Sequence, residues 1–229
     1  MKKNVPLIIW DCDGTIQTMS AFAYASHKRS DPGLSRDAFK AQNPGEIAML
    51  PGMAEMIDYT DSKGYNNVLI SEGDPSAGGC AQLLARKDRF KNWKFQGETV
   101  EWGCVPKQVD KVNIKLTNEL VAEFEPSKVI VIGDSLREYA EALNCLVSMK
   151  QKFGPQAGSS VVFIKMGPPD ETAEDVDDSH PPVYFVKSGM EMKPIIDKFL
   201  GSDAIRQALA KAADKPQPSH KIKKTGVDR

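Results

Sequence analysis

Short continuous apolar runs, each closed by a polar or turn-forming residue, recur along the chain as "PLIIWD" (6–11), "NVLIS" (67–71), "KVIVIGDS" (128–135), "VVFIKM" (161–166) and "VYFVK" (183–187). A strand with one wet face alternates apolar and polar residues. Unbroken Val, Ile and Leu mark strands covered on both faces, as in a parallel sheet. Helical patterns lie between them. "PGMAEMIDYTDSKG" opens on Pro51, spaces Met53, Met56 and Ile57 along one face and stops at Gly64. "DKVNIKLTNELVAEF" places Val112, Leu116, Leu120 and Phe124 at helical spacing, and "SLREYAEALNCLVSM" repeats the pattern from Ser135. Alternating strand and helix predicts an α/β fold, a three-layer Rossmann-like parallel sheet.

The 229 residues divide unevenly over that pattern. Residues 1–201 read as one α/β domain. Within it, 17–50 is irregular, with one helix near "SAFAYASHKR", and is too short to be a domain of its own, so it reads as a flap. Residues 202–229 lose their apolar residues after a short Ala-rich helix and read as a flexible basic C-terminal tail that carries Lys211, Lys215, Lys221, Lys223 and Lys224. A net charge of -1 supplies no global attraction to nucleic acid or to anionic membrane, so only this tail could make a membrane contact. Cys12, Cys80, Cys104 and Cys145 form no C-x-x-C pair and the three histidines are scattered, which gives a structural zinc site no support and predicts reduced thiols. No apolar stretch reaches the roughly 18 residues of a membrane span, and the start of the chain is too soon charged for a signal peptide, so the expected location is cytoplasmic.

In an open parallel sheet ligands sit beyond the carboxyl ends of the strands. "LIIWDCDGTI" delivers Asp11 and Asp13 to that edge, and Gly14 permits the sharp turn that follows. Paired carboxylates can share a hard cation such as Mg²⁺, and a metal-neutralised carboxylate can attack phosphorus while its neighbour handles protons. The plain reading of D-x-D-G is a strand-ending turn. "KVIVIGDSLRE" repeats the arrangement with Asp134 and, one helical turn on, Glu138. "NVLIS" ends on Ser71, a cap or a phosphate contact; Lys107 and Lys111 stand at the start of the next helix, solvated or facing a phosphoryl group. "CAQLLAR" (80–86) has the C-x5-R spacing of cysteine-dependent phosphatases but holds helix formers where a glycine-rich loop is needed. Cys12 reads as core, and His27 as an exposed loop residue.

"DCDGT", the strand to Ser71, the lysine at 107 or 111 and "GDSLRE" resemble, in order, the four motifs of the haloacid dehalogenase superfamily over residues 6–145. The resemblance implies that Asp11 is a nucleophile forming an aspartyl-phosphate. It implies that Asp13 protonates the leaving oxygen and later activates water, a residue that goes with phosphatases rather than dehalogenases. It further implies Mg²⁺ on Asp11, the carbonyl of Asp13 and Asp134, with Glu138 direct or through water, and Ser71 with Lys107 or Lys111 on the phosphoryl oxygens. Glu138 stands where many relatives carry aspartate, and neither lysine is followed by the proline common there.

Superfamily phosphatases commonly gate the site with a cap inserted after the first or second motif. Here both insertions are short, which predicts a minimally capped site open to a bulky phosphorylated substrate such as a phosphotyrosine protein, with a small phosphorylated metabolite as the alternative. A non-catalytic phospholigand or partner-binding module on the same scaffold is a third reading. It is disfavoured because the full set of acidic, serine and lysine positions is present.

Overall fold

The computed structural model describes residues 3–18, 21–43, 47–71, 80–95, 116–167 and 180–213. Strands β1 (Leu7–Trp10), β2 (Asn66–Ser71), β3 (Asn92–Phe95), β4 (Val129–Gly133), β5 (Val161–Met166) and β6 (Val183–Val186) form one sheet in the order β3-β2-β1-β4-β5-β6. Every neighbouring pair is parallel. The apolar runs of the sequence are therefore strands, and β3 is the one strand among them that no such run announces.

Alternation along each strand sorts the core into two layers. Ile8, Trp10, Leu69, Ile130, Ile132 and Ile164 face one way. They pack on α3 (Met53–Ser62) through Met53, Met56 and Ile57, and on α7 (Gly189–Ala213) through Met192, Ile196 and Leu200. Leu7, Ile9, Val68, Val129, Val131 and Phe163 face the other way. Their partners are Leu120, Val121 and Phe124 of α5 (116–124) and Ala142, Cys145, Leu146 and Met149 of α6 (Leu136–Phe153). Two apolar strand faces each need a helical cover, which produces the three layers.

Three boundaries differ from expectation. Helix α3 begins at Met53 rather than at Pro51, because Gly52 takes a left-handed φ of 77° and the Pro51 carbonyl accepts from the Gly189 amide. The segment 17–50 contains two helices, α1 (Ala21–Ser30) and α2 (Arg36–Gln42), where one was expected. Ser35 nucleates the second, its hydroxyl accepting from the Ala38 amide at 3.1 Å. Finally, α7 continues through the expected domain boundary at 201 as far as Ala213, its Ala-rich sequence favouring helix. The remaining tail lysines, from Lys215 on, lie outside the described residues.

The flap is closed at its base by an antiparallel bridge between Gln17 and Met49, with Thr18 donating to the Ala48 carbonyl and Leu50 to that of Ile16, both at 2.8 Å. Leu34, Phe39 and Ile47 sink into the same apolar layer as α3. A buried flap face of this kind holds α2 against the carboxyl edge of β1. Helix α4 (Ala81–Leu84) precedes β3, so the stretch after Ser71 contains the helix and strand its length allows.

Candidate active site

The chain steps outward from β1 to β2 and β3, then returns to the other side of β1 for β4, β5 and β6. Beyond the carboxyl ends of β1 and β4 lies the crevice of this switch. The Asp11 amide donates to the Ile132 carbonyl at 2.9 Å, extending the ladder so that Asp11 stands directly beside the end of β4. The chain then folds back sharply. The Ile16 and Gln17 amides both donate to the Cys12 carbonyl, and Gly14 adopts φ 84° while donating to the Gln17 carbonyl.

Within this loop each acidic side chain has a distinct setting. Thr15, itself buried, donates from Oγ1 to Asp11 Oδ2 at 2.8 Å and fixes that carboxylate. Asp13 is 5% exposed. Its Oδ1 accepts from Gln17 Nε2 at 2.7 Å, and its Oδ2 lies 3.3 Å from Lys40 Nζ. Gln17 is fixed in turn by accepting from the Cys80 amide at 3.1 Å. Asp134 follows β4 and closes over Gly14, where a β-carbon would meet its Oδ2 at 2.0 Å. Glu138 lies in the first turn of α6, where it accepts from the Ser135 amide at 2.9 Å and completes a capping box. Gly133 leaves room for it, since a β-carbon there would fall 2.2 Å from Glu138 Cγ.

The structure brings Asp11, Asp13, Asp134 and Glu138 to one sheet edge. Ser71 ends β2 two residues beyond the Trp10–Leu69 pair, 3% exposed and at the same sheet edge. Lys107 and Lys111 lie outside the described residues. The C-x5-R segment is no phosphate loop: Cys80 is buried ahead of α4, and Arg86 binds Asp58 through Nε and Nη2 at 3.1 and 3.0 Å. Cys12 belongs to the apolar layer, and its burial pushes the thiol well above its ordinary pKa. His27 is exposed as expected, though on α1 rather than in a loop, edge-on to Phe39 at 4.9 Å.

Three residues of the site carry no assignment from sequence. Thr15 stands inside the quoted motif, and the Thr that follows D-x-D-G was signal enough to suspect it. Gln17 and Lys40 belong to the flap, and nothing in their spacing reports that α2 returns to β1.

The electrostatics follow from the crowding. Burial, then the charges of Glu138, Asp134 and Asp13, hold the Asp11 carboxyl well above the usual carboxylate range, against the opposing hydrogen bond from Thr15. A cluster of like charges, with Asp13 and Glu138 buried and Asp11 and Asp134 half-buried, suits a hard cation with oxygen ligands. Among the described residues no group of three or more His, Cys, Asp or Glu side chains is disposed as a ready-made metal cage. Asp11, whose Oδ2 accepts from Thr15, and Asp134, which closes over Gly14, offer carboxylate oxygens at the ends of adjacent strands. One or two carboxylates completed by waters and substrate phosphate is the usual manner of holding Mg²⁺, so the donors fit that ion.

The result is a parallel α/β sheet with a D-x-D-G turn on its central strand and a second acidic strand end beside it. The solved structures whose fold this chain shares include two of phosphoserine phosphatase and one of a heptose bisphosphate phosphatase. Phosphoserine phosphatase in its apo form covers 85% of this chain and 98% of its own at 13% identity, with a TM-score of 0.50. A substrate-bound phosphoserine phosphatase gives the same identity and score over 99% of its own length. D,D-heptose bisphosphate phosphatase from B. bronchiseptica, complexed with magnesium and phosphate, is 15% identical over 86% of this chain and 99% of its own, with a TM-score of 0.47. At such identities the likeness is one of fold. No protein-family model matches the sequence, and no curated protein matches it significantly.

Proposed function

We propose that the protein is a Mg²⁺-dependent phosphomonoester phosphatase that works through an aspartyl-phosphate. The observation that carries this reading is the pair Asp11 and Asp13 on one turn at the switch point, with Thr15 holding the first carboxylate and Asp134 standing beside it. In the first step an Asp11 oxygen forms a bond to phosphorus while the ester P–O bond breaks. The leaving oxygen keeps the electron pair and takes the proton of Asp13. In the second step Asp13 removes a proton from water, the water oxygen bonds to phosphorus, and the Asp11–phosphorus bond breaks to release phosphate. Asp11, Asp134 and the Asp13 carbonyl would hold Mg²⁺, which offsets the negative charge of the phosphoryl oxygens and of the Asp11 nucleophile. Ser71, with Lys107 or Lys111, would bind the phosphoryl oxygens, and Glu138 would act on the metal directly or through water.

Short insertions favour an accessible substrate, a phosphotyrosine side chain of a protein. The second reading, a small phosphorylated metabolite, is favoured by the phosphoserine phosphatases of the same fold. The test is hydrolysis of a phosphotyrosine peptide beside a panel of phosphorylated metabolites, each with Mg²⁺, with EDTA, and with Asp11→Asn. Metal-dependent turnover lost in Asp11→Asn is expected, with the peptide preferred. A preference for a metabolite selects the second reading, and full activity in Asp11→Asn removes the assigned nucleophile.

A further inference from the structure

Helix α2 places a lysine where packing alone would ask for a methionine. Lys40 is fully buried, and its neighbour Phe39 and the nearby Ile47 belong to the apolar layer. An ammonium taken out of water is strongly disfavoured unless an anion is close. Among the described residues no acceptor takes a hydrogen bond from Lys40 Nζ, and the anion beside it is Asp13, 3.3 Å away, its side chain 3% exposed. The other Asp13 oxygen is held by Gln17, which is itself anchored to the Cys80 amide. The carboxylate is thus gripped at both oxygens, from two parts of the flap.

We infer that Lys40 is a positioning residue for Asp13: the flap reaches back to set the carboxyl group that gives its proton to the leaving oxygen. The inference rests on the phosphatase reading above. The flap is then a working part of the site, since its helix α2 holds the proton donor in place. An ion pair that merely pinned the flap would affect all substrates alike. A clamp on the proton donor acts selectively. A p-nitrophenolate leaves without needing a proton, whereas an alkoxide does not, so misplacing Asp13 penalises alkyl phosphates above activated aryl esters.

The experiment compares kcat/KM for p-nitrophenyl phosphate and ethyl phosphate, with Mg²⁺, in the full chain and in Lys40→Met, Lys40→Gln, Asp13→Asn and the Lys40→Met/Asp13→Asn double variant. The expected result is a loss at least about tenfold larger for the alkyl ester in each Lys40 variant, in the direction Asp13→Asn also shows. In the Asp13→Asn background Lys40→Met should add no further selectivity. Equal losses on both esters in a Lys40 variant that keeps a cooperative melt, or an additive effect in the double variant, would overturn the proposal. Failure of both Lys40 variants to fold would overturn it too, in favour of a structural ion pair. If the unaltered protein hydrolyses neither ester, the phosphatase reading itself falls and takes this inference with it.

Discussion

Gly14 and Asp134, from the ends of adjacent strands, approach so closely that a β-carbon on the first would lie 2.0 Å from Oδ2 of the second. The turn that presents Asp11 and Asp13 and the strand end that presents Asp134 are therefore one interlocked unit. Gly14→Ala has two faults, since alanine resists the φ of 84° and its methyl displaces Asp134. We expect a loss of about 1–3 kcal/mol in thermal unfolding from the backbone alone. Mg²⁺ affinity, read by calorimetric titration, should fall as well. Unchanged melting and metal affinity would show that the approach is not tight in solution.

Asp11→Asn should melt at a higher temperature than the parent when both are held in EDTA at neutral pH. Burial and three neighbouring carboxylates hold the Asp11 carboxyl well above its ordinary range, so its ionised form opposes folding. An asparagine keeps the shape, can still accept from Thr15 and carries no charge. A lower melting temperature would contradict the crowding of charge described here.

Mg²⁺ should reverse that ordering. An ion bound only by the folded state at about 100 times its Kd stabilises by about 2.7 kcal/mol. For a chain of this size that corresponds to a rise of roughly 5–10 °C. The rise should shrink in Asp134→Asn and in Asp11→Asn, and scanning calorimetry with and without the metal reads it directly. A shift of full size in both variants would place the ion elsewhere.

Glu141, on α6, contributes a pH dependence of stability. Burial above all, then the Glu138 charge, pushes its pKa from 4.5 up to about 8, with Arg137 opposing. Between those values the folded protein keeps a proton that the unfolded chain releases, so stability falls as pH rises through this window. The total is on the order of 3–5 kcal/mol. In Glu141→Gln the contribution vanishes, and urea unfolding in EDTA from pH 5 to about 8 should show a flatter profile than the parent. Equal slopes would mean that water reaches the Glu141 carboxylate.

Much of this protein was legible from residue order because the signals are local. A run such as Val129–Gly133 has to be covered on both faces, and a strand that ends on Asp-x-Asp-Gly has to turn there. Those rules yield the parallel sheet, its helices, and the meeting of Asp11, Asp13, Asp134 and Glu138 at one edge. Strand β3 escaped because "NWKF" is too short and too polar to announce itself, and it is defined by pairing with β2. Helix α2 escaped because a seven-residue helix is too short for periodicity to reveal, although Ser35 stands in the right place to cap it.

What tertiary structure alone decided is the partnership between distant groups. Nothing in the residues around Lys40 marks it out, and only the docking of α2 turns it inward to Asp13. Gln17 likewise reads as the first residue of a loop until Cys80 and Asp13 are found on either side of its amide. Hydrophobic pattern and turn chemistry act within a few residues and are written along the chain. Which buried charge meets which depends on how separately formed elements pack, a relation that linear spacing does not encode.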